Sequence, residues 1–303
     1  MQISLFLFGN LKKLQKKVFI IIVTYNGAKW IRKNLESLRQ SLLPLEILVI
    51  DNNSSDETVS LVKSFDEVQL ILSDENLGFG SANNIAIQKA LEQKADYVFL
   101  LNQDTWIYPK TINDLVLAAE SNPDFGIVSP LHYASDGVHL DENFKAYWNR
   151  KTRAISDNID EVPFVNAAAW LIPRSVIQKV GLFEPMFKHY GEDRNYVYRL
   201  IYHGFKIVVV KDAKICHDRV VVRNFEKDVI QSKLKLLSDV LNINHSLFLS
   251  YLKAFYSVIG LPKYFHKFYS FRKSAQLFFE LLLYYITLKM IVLRIYKTRI
   301  SYK

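Results

Sequence analysis

The sequence predicts an α/β fold with a mostly parallel sheet flanked by helices, followed by a separate helical region. Two observations support this prediction. Up to about residue 130, apolar β-branched runs alternate with helical patterns, which is typical of βαβ units. The 303 residues are also 50% hydrophobic and 23% charged, a composition that supplies a full core and excludes a disordered or fibrous protein.

Five strands are expected in this first part of the chain. The run VFIIIVTY at residues 18–25 is continuous and β-branched, as in strands that are buried on both faces. EILVIDNN at residues 46–53 gives the second strand. The other three are expected at residues 68–73, 97–104 and 125–130.

A helix is expected after each of the first four strands. Residues 28–41 carry apolar side chains at helical spacing. Ser54 and Glu57 have the spacing of a capping box, which predicts that the second helix starts at Ser54. The third and fourth helices are expected at residues 81–93 and 111–121.

Polar residues follow three of these strands, at the edge where such sheets bind ligands. The carboxyl ends of neighbouring parallel strands meet at one edge, beside the point where strand order reverses. A single aspartate there is usually a turn former, but two acids that converge on one edge indicate a binding site. The polar residues are Thr24, Tyr25 and Asn26 after the first strand, Asp51 and Asn52 after the second, and Asn102 and Asp104 after the fourth.

The glycine pattern argues against a dinucleotide-binding turn. The loop after the first strand, TYNGAKW, has one glycine where pyrophosphate-binding turns have several, and no Gly-Lys-Ser/Thr phosphate loop occurs. GFGSAN, which starts at Gly78, follows the third strand and lacks the third glycine. A diphosphate would therefore be held mainly by a metal ion, for which the Asp104 carboxylate is a suitable hard ligand.

Charge and cysteine content narrow the function classes further. The net charge is +9, but residues 263–303 contain nine Lys and Arg against one acid, Glu280, so the rest of the chain is nearly balanced. The single cysteine, Cys216, excludes an internal disulfide and a paired-cysteine metal site. We expect a reducing, cytoplasmic environment.

Seven segments between about residues 17 and 220 carry a family resemblance. They are IIIVTYNGAKWIRKNLESL, ILVIDNNSSDETV, ENLGFGSANNIAI, FLLNQDTWI, NAAAWLIPRSVIQKVGLFEP, HYGEDRNYVYRLIYHGFKI and AKICHD. In this order they resemble the inverting family 2 glycosyltransferases of the GT-A fold. The resemblance is strongest to the rhamnosyltransferase-like branch, which builds bacterial surface polysaccharides.

The resemblance implies a site for a nucleotide sugar and a divalent cation, Mg²⁺ or Mn²⁺. Asp104 matches the last acid of the family's D-x-D motif, and Asn102 stands at the first position of that motif. His217, in ICHD, matches a histidine that completes the metal site, although a lone histidine could also be an interior residue. The implied nucleotide-sugar contacts are Thr24, Tyr25, Asn26, Asp51, Asn52, Asn76, Gly78, Asn84, Asn102 and Asp104, with Gly80 in the same loop as Gly78.

Inverting transfer also needs a general base on the acceptor side. The acceptor hydroxyl attacks the anomeric carbon in line with the departing diphosphate, so the base cannot be a metal-binding acid. YGEDRNYVYRL offers Glu192 and Asp193 at an expected helix start, where the family places its base. We expect Asp193 to be the base and Glu192 to bind or support the acceptor. The alternative is that both acids only favour the helix N-terminus through its dipole.

Three nearby residues each have two interpretations. Arg199 could contact the diphosphate or only solvate its helix, so it is not assigned to the site. Trp170 and Tyr190 could stack on a sugar, but aromatic residues beside AAAWLIP are usually core.

The chain after about residue 224 reads as apolar, aromatic-rich helices with interleaved basic residues. The longest run, residues 274–299, is interrupted by Glu280 and Lys289, which favours a helix in the membrane interface over a spanning one. We expect peripheral contact with the anionic inner face of the cell membrane. The alternatives are a homodimer contact or an intramolecular helical cap. Nucleic acid is not an expected partner, because the apolar runs are too long for a groove-binding helix.

Three regions are thus expected: an extension at residues 1–16, a GT-A catalytic domain at residues 17–223 and a helical region at residues 224–303. The expected function is metal-dependent inverting transfer of a sugar in surface polysaccharide biosynthesis. The donor is a nucleotide diphosphate sugar, with dTDP-rhamnose as a candidate, and the acceptor is a saccharide or a lipid-linked molecule. The alternatives are a UDP-sugar donor or, because of Asn102, a catalytically inactive nucleotide-binding homologue.

Overall fold

The computed structural model describes residues 16–219 and 223–303, so the expected extension at residues 1–16 lies almost entirely outside the described residues. A single ten-stranded sheet forms the centre of this part of the chain. Its strands are β1 (Val18–Thr24), β2 (Leu45–Asp51), β3 (Val68–Leu72), β4 (Tyr97–Leu101), β5 (Thr105–Ile107), β6 (Phe125–Ala134), β7 (Arg153–Ala154), β8 (Ile159–Glu161), β9 (Ala169–Pro173) and β10 (Lys206–His217).

The sheet is mixed, with a parallel half and a more varied half. The strand order is β3-β2-β1-β4-β9-β6-β10-β8-β7, and β5 pairs with β10. The pairs β3–β2, β2–β1 and β1–β4 are parallel, as is β6–β10. β9 is antiparallel to both β4 and β6, and β8 and β5 are antiparallel to β10. The predicted mostly parallel α/β sheet is confirmed for the strands that the sequence identified.

Helices cover both faces of the sheet. In β1, Phe19 and Ile21 pack in one core cluster and Ile20 and Ile22 in the other, so the strand is buried on both faces as predicted. The helices are α1 (Ala28–Arg39), α2 (Thr58–Lys63), α3 (Phe79–Glu92), α4 (Thr111–Ser121), α5 (Glu142–Trp148), α6 (Arg174–Val180), α7 (Glu192–Tyr202), α8 (Phe225–Leu241), α9 (Leu247–Phe265), α10 (Phe271–Met290) and α11 (Val292–Ser301).

The predicted capping box is wrong. The helix α2 begins at Thr58, and its cap residue Glu57 makes no side-chain hydrogen bond to the helix. The Ser54 hydroxyl instead donates to Asp51 Oδ1 at 2.6 Å and accepts from the Asn26 amide at 2.9 Å. Asp56 Oδ1 accepts from the Thr58 amide at 3.0 Å.

Residues after Asn224 form the predicted apolar helices, α8 to α11, and these pack on one another around a third core cluster. Phe187, from the segment before α7, is part of that cluster. The intramolecular cap is therefore part of the fold, and the outward face of the same helices is still exposed.

None of the helices in residues 16–219 and 223–303 is by itself long and apolar enough to cross a membrane. The pair α10 and α11 meets the length and composition criteria together, but it is bent by 70° at the break between the two helices.

Candidate active site

The ends of β1 and β2 meet at Thr24 and Asp51, which are register partners. The Thr24 hydroxyl donates to Asp51 Oδ1 at 2.8 Å. Ser54 adds two more donors, its amide to Oδ2 at 2.8 Å and its hydroxyl to Oδ1 at 2.6 Å. A carboxylate has about four acceptor positions, so Asp51 is fixed in orientation and keeps about one position for a ligand.

Asn52 and Asn76 build the loop before α3. The Asn52 side-chain nitrogen donates to Asn76 Oδ1 at 2.8 Å, and the Asn52 side-chain oxygen accepts from the Leu77 backbone amide at 2.8 Å. Gly78 has a φ of 79°, and a Cβ at this position would lie 1.7 Å from the Lys188 carbonyl oxygen. The loop thus depends on glycine and rests against the segment that leads into α7.

Asn84, a predicted contact of base and ribose, makes two hydrogen bonds to the protein backbone. Its side-chain nitrogen donates to the Phe183 carbonyl oxygen at 2.8 Å, and its oxygen accepts from the Phe183 amide at 2.8 Å. These two bonds occupy the amide, so Asn84 fastens α3 to the segment after α6. Gly80 lies at the same contact, where an added Cβ would be 3.2 Å from Phe183 Cβ and 3.5 Å from Glu192 Cβ.

Gln103, which the sequence reasoning did not single out, joins the loop after β4 to the loop after β1. Its side-chain oxygen accepts from the Tyr25 amide at 3.0 Å, and its nitrogen donates to the Tyr25 carbonyl oxygen at 3.1 Å. The Tyr25 side chain itself is 48% exposed. Asn26 is also exposed, with a φ of 47°, and its side-chain oxygen accepts from the Ser55 amide at 2.9 Å.

Asp104 and His217 come together, as the resemblance implied. His217 Nε2 lies 3.2 Å from Asp104 Oδ1, with the histidine side chain 1% and the aspartate side chain 22% exposed. The antiparallel pairing of β5 with β10 causes this, because it sets Thr105, next to Asp104, opposite His217.

The donor set fits a divalent cation that takes its other ligands from a diphosphate. A carboxylate oxygen and an imidazole nitrogen are suitable protein ligands for such an ion. Within residues 16–219 and 223–303 there is no cluster of three or more His, Cys, Asp and Glu side chains that could hold a metal. The Asn102 carbonyl oxygen accepts hydrogen bonds from the Asn34 side chain at 3.0 Å and from the Thr105 hydroxyl at 2.6 Å.

A second set of polar groups surrounds His217. The His132 ring lies 6.3 Å from the His217 ring, centroid to centroid, and burial followed by the charge of His217 holds the pKa of His132 well below its usual value. Arg219 donates to both oxygens of Asp141, at 2.9 Å and 2.6 Å. Burial opposes ionisation of Asp141, but the Arg219 hydrogen bond lowers its pKa overall.

The acidic pair occupies the start of α7, as predicted. Gly191, in the left-handed region with a φ of 86°, turns the chain into the helix. Glu192 is only 6% exposed, and burial followed by the charge of Asp193 raises its pKa to about 8. Asp193 is half-buried and its Oδ1 accepts from the Arg194 amide at 2.7 Å. Burial raises the pKa of Asp193, although Arg194 opposes this.

Two alanines link the acidic pair to the end of β4. The Ala167 amide donates toward the Asp193 carboxylate, which lowers the pKa of that group against the effect of burial. The Ala168 carbonyl oxygen accepts from the Asn102 amide at 2.9 Å. Trp170 is fully buried, as its interpretation as a core residue predicts. Asp193 therefore lies close to the segment that hydrogen-bonds to the end of β4.

Residues 19–181 match the family model described as glycosyl transferase family 2. The chain belongs to glycosyltransferase family 2. The α/β fold is the one that this family membership leads one to expect.

Curated relatives of this glycosyltransferase are distant. An uncharacterised glycosyltransferase of Rickettsia prowazekii is 28% identical over 57% of this chain, and the match spans 55% of that relative. The N-acetylglucosaminyl-diphospho-decaprenol L-rhamnosyltransferase of Mycobacterium tuberculosis is 25% identical over 66% of this chain and 75% of that relative. A dTDP-rhamnosyl transferase of Shigella flexneri is 24% identical over 67% of this chain and 70% of its own length.

Solved structures confirm the GT-A-like fold. The Pyrobaculum calidifontis mannosyltransferase, solved with GDP-Man and Mn²⁺, has a TM-score of 0.59 and 15% identity over 98% of this chain and 94% of its own. S. aureus TarS residues 1–349, solved with UDP-GlcNAc, has a TM-score of 0.58 and 16% identity over 78% of this chain and 69% of its own.

Proposed function

We propose that this glycosyltransferase moves a sugar, with inversion and with the help of a divalent cation, from a nucleotide diphosphate sugar to a saccharide hydroxyl in surface polysaccharide biosynthesis. The placement of Asp193 is the main support. This acid sits in the first turn of α7, and Ala167 and Ala168 connect it to Asn102 at the end of β4. A base on one wall and the Asp104–His217 pair on another are what an in-line displacement requires.

In the proposed reaction Asp193 accepts the proton of the acceptor hydroxyl. The acceptor oxygen forms a bond to the anomeric carbon while the bond from that carbon to the diphosphate oxygen breaks, and the diphosphate leaves with the electron pair. Burial raises the pKa of Asp193, which makes its carboxylate a stronger base than an exposed aspartate. Burial and the neighbouring Asp193 raise the pKa of Glu192 to about 8, so Glu192 is mostly protonated at neutral pH and is the poorer candidate for the base.

Asp104 and His217 are the residues that would hold the cation. When bound, a divalent cation supplies positive charge that stabilises the departing diphosphate. Asn102 can offer only a neutral amide oxygen, so the protein supplies one carboxylate where a D-x-D motif supplies two.

For the donor we propose dTDP-rhamnose, with a UDP-sugar as the second candidate. The names of the Mycobacterium and Shigella relatives support rhamnose, and the Shigella name supports dTDP. Thymine and uracil differ by one methyl group, which a pocket distinguishes by only about 1 to 3 kcal/mol. A panel of dTDP- and UDP-sugars, tested by binding and by hydrolysis, therefore decides the donor.

The decisive experiment compares donor hydrolysis and transfer by the wild type, Asp193→Asn and the control Asp157→Asn, each with Mn²⁺ or Mg²⁺. Asp157 is an exposed acid in the turn between β7 and β8. We expect Asp193→Asn to lose about 10²- to 10⁴-fold in turnover, because it removes the base, and Asp157→Asn to match the wild type. Wild-type turnover by Asp193→Asn would contradict the proposal. A wild type that binds donors but turns over none would favour the inactive homologue.

We also propose that the acceptor is lipid-linked and that the protein attaches peripherally to the inner face of the cell membrane. The Mycobacterium relative is named for a diphospho-decaprenol acceptor. On α10, Leu277, Leu281 and Leu288 are buried, whereas the opposite, outward face of the helix is apolar and solvent-exposed. The exposed fractions on α10 are Phe279 61%, Leu283 65%, Ile286 47% and Met290 81%, and Leu293 at the start of α11 is 75% exposed.

Basic residues at the end of this face complement an anionic surface. Lys289 and Arg294 are exposed beside Met290 and Leu293. Each lysine or arginine near an anionic leaflet contributes about 1 kcal/mol, and each apolar side chain that leaves water adds to this. An exposed apolar face with a basic end is typical of a helix that lies in the membrane interface.

A further inference from the structure

Arg199 is a fully buried cation on the helix that carries the acidic pair. It donates from Nη1 to the Val180 carbonyl oxygen at 2.9 Å, from Nη2 to that of Leu182 at 2.7 Å and from Nε to Asn195 Oδ1 at 3.1 Å. Among the described residues no carboxylate lies within 4.0 Å of its nitrogens. These contacts use three of the five guanidinium N–H groups, and the residue is fully buried, so Arg199 is not accessible to a diphosphate.

Tyr302, in the turn after α11, covers this cation. The Arg199 guanidinium carbon lies 4.0 Å from the centroid of the Tyr302 ring. The Tyr302 hydroxyl donates to Glu184 Oε2 at 2.7 Å, and its carbonyl oxygen lies 3.0 Å from His203 Nε2. Tyr302 thus contacts Arg199 on α7, His203 directly after α7 and Glu184 in the segment before α7.

The other contacts of the C-terminal helices with α7 reinforce this arrangement. Ser238 on α8 donates to the Gly191 carbonyl oxygen at 3.3 Å, at the start of α7. Asn244, between α8 and α9, donates to the Tyr198 carbonyl oxygen at 2.7 Å. Arg299 holds that connection through four hydrogen bonds, to Val240, Asn242, His245 and Ser250.

We infer that Tyr302 is a positioning residue for the proposed catalytic base. A helix moves as a stiff unit, and Asp193 lies less than two turns before Arg199 on α7. Loss of the ring would open Arg199 to water and free α7 to shift. A misplacement of about 1 Å at a reacting group can cost about 10²-fold in rate. The inference rests on the proposed role of Asp193, since the position of α7 matters for turnover only through that residue.

The test uses Tyr302→Ala, Tyr302→Phe and the control Tyr296→Ala. Tyr296 lies on α11, is 50% exposed and makes no side-chain hydrogen bond among the described residues. Donor hydrolysis or transfer to a soluble acceptor is measured at 20 °C, together with amide hydrogen exchange of α7. We expect Tyr302→Ala to lose about 10- to 100-fold in kcat with the KM for the donor within about twofold. Most of the implied donor contacts follow β1, β2 and β4 and lie outside α7, so donor binding should change little.

Tyr302→Phe keeps the ring over Arg199 and should recover most of the lost kcat, which a general loss of stability would not predict. Faster exchange of the α7 amides in Tyr302→Ala than in Tyr296→Ala supports the inference even if no donor in the panel is turned over. That result separates the inference from failure of the proposed function. Equal exchange of α7 in the two alanine variants overturns the inference, and so does a rise in KM without a fall in kcat.

Discussion

Glu192 is a buried carboxyl group whose Oε2 has no hydrogen-bond partner among the residues that the structure describes. Burial of a carboxylate without a partner costs free energy, so the group binds its proton more tightly in the folded protein. Its pKa is raised from 4.5 to about 8. The folded state therefore holds a proton that the unfolded state has lost across this pH range.

We predict that Glu192→Gln becomes progressively more stable than the wild type as pH rises from about 4.5 to about 8. The wild type binds more protons folded than unfolded in this window, so its stability falls with pH by at most about 1.4 kcal/mol per unit, whereas glutamine does not titrate. The stability advantage should level off above pH 8. Urea unfolding at several pH values measures it, and parallel curves for the two proteins would contradict the prediction.

Asn102 sets the strength of the proposed metal site. We predict that Asn102→Asp lowers the Mn²⁺ concentration needed for half-maximal turnover by about tenfold, since a second carboxylate joins Asp104. Isothermal titration with Mn²⁺ and the donor nucleotide gives the affinity directly.

His217→Ala should raise the Mn²⁺ concentration needed for half-maximal turnover, because it removes a ligand of the proposed site. An activity of the wild type that survives complete chelation would contradict metal dependence.

The sequence predicted part of this site because the resemblance supplied long-range information. The resemblance assigned Asp104 and His217 to the same metal site. In the fold, the pairing of β5 with β10 brings these two residues together. The resemblance did not identify His132, Asp141 or Arg219, which have no motif and which the fold collects from β6, the start of α5 and the residues after β10. Other partnerships are tertiary as well. The polar side chains of Asn84 and Gln103 read in the sequence as ligand contacts or loop residues, but in the fold they bind backbone groups.

Among the elements, the loop before α3 has the strictest backbone requirement. Gly78 has φ 79° and ψ 168°, a region that is essentially restricted to glycine. We predict that Gly78→Ala lowers the free energy of unfolding by at least about 1 to 3 kcal/mol, because the strain adds to the clash with the Lys188 carbonyl oxygen. It should also weaken nucleotide binding, since the loop carries Asn76.

Gly260→Ala is the matched control for this substitution. Gly260 lies inside α9 and an added Cβ would meet no atom within 4 Å. Alanine there should stabilise the protein by up to about 1 kcal/mol through its higher helix propensity. Chemical denaturation compares the two variants, and equal effects on stability would show that the loop tolerates a side chain.

Element identity followed from periodicity, but element pairing did not. Continuous apolar runs predicted β1 and β4. Strands that alternate with helices are typical of a parallel sheet, so parallel neighbours were expected for both. The insertion of β9 between β4 and β6 joins residues far apart in the chain, and local patterns carry no information about it. The predicted start of α2 was wrong because the Ser54 hydroxyl bonds to Asp51 at the end of β2 and to the Asn26 amide after β1, and the latter contact is tertiary.

At the scale of the whole molecule, the C-terminal helices both complete the core and face outward. Removal of residues after about 262 would take Leu277, Leu281 and Leu288 out of the third core cluster and Tyr302 off Arg199. Such a truncation would disturb folding as well as any surface contact. Substitutions on the outward face of α10 test the membrane proposal without this complication.

We predict that Phe279→Ser combined with Leu283→Ser and Met290→Ser lowers sedimentation with phosphatidylglycerol-containing vesicles at least about tenfold, because three apolar side chains no longer enter the interface. Binding by the wild type should fall as salt screens Lys289 and Arg294. The control replaces the exposed Leu117 and Val138 by serine. Unchanged sedimentation would contradict membrane attachment, and loss of a dimer in analytical ultracentrifugation would assign this face to self-association.

The family match ends at residue 181, but the contacts that hold α7 reach to Tyr302. Chimaeras that exchange the C-terminal helices between relatives, in order to change the acceptor, would therefore break a junction that sequence similarity does not mark. A graft made at the apparent domain border would separate Tyr302 from Glu184, Arg199 and His203. Tyr302 contacts each of the other three residues directly, so an exchange that preserves turnover has to carry the four together.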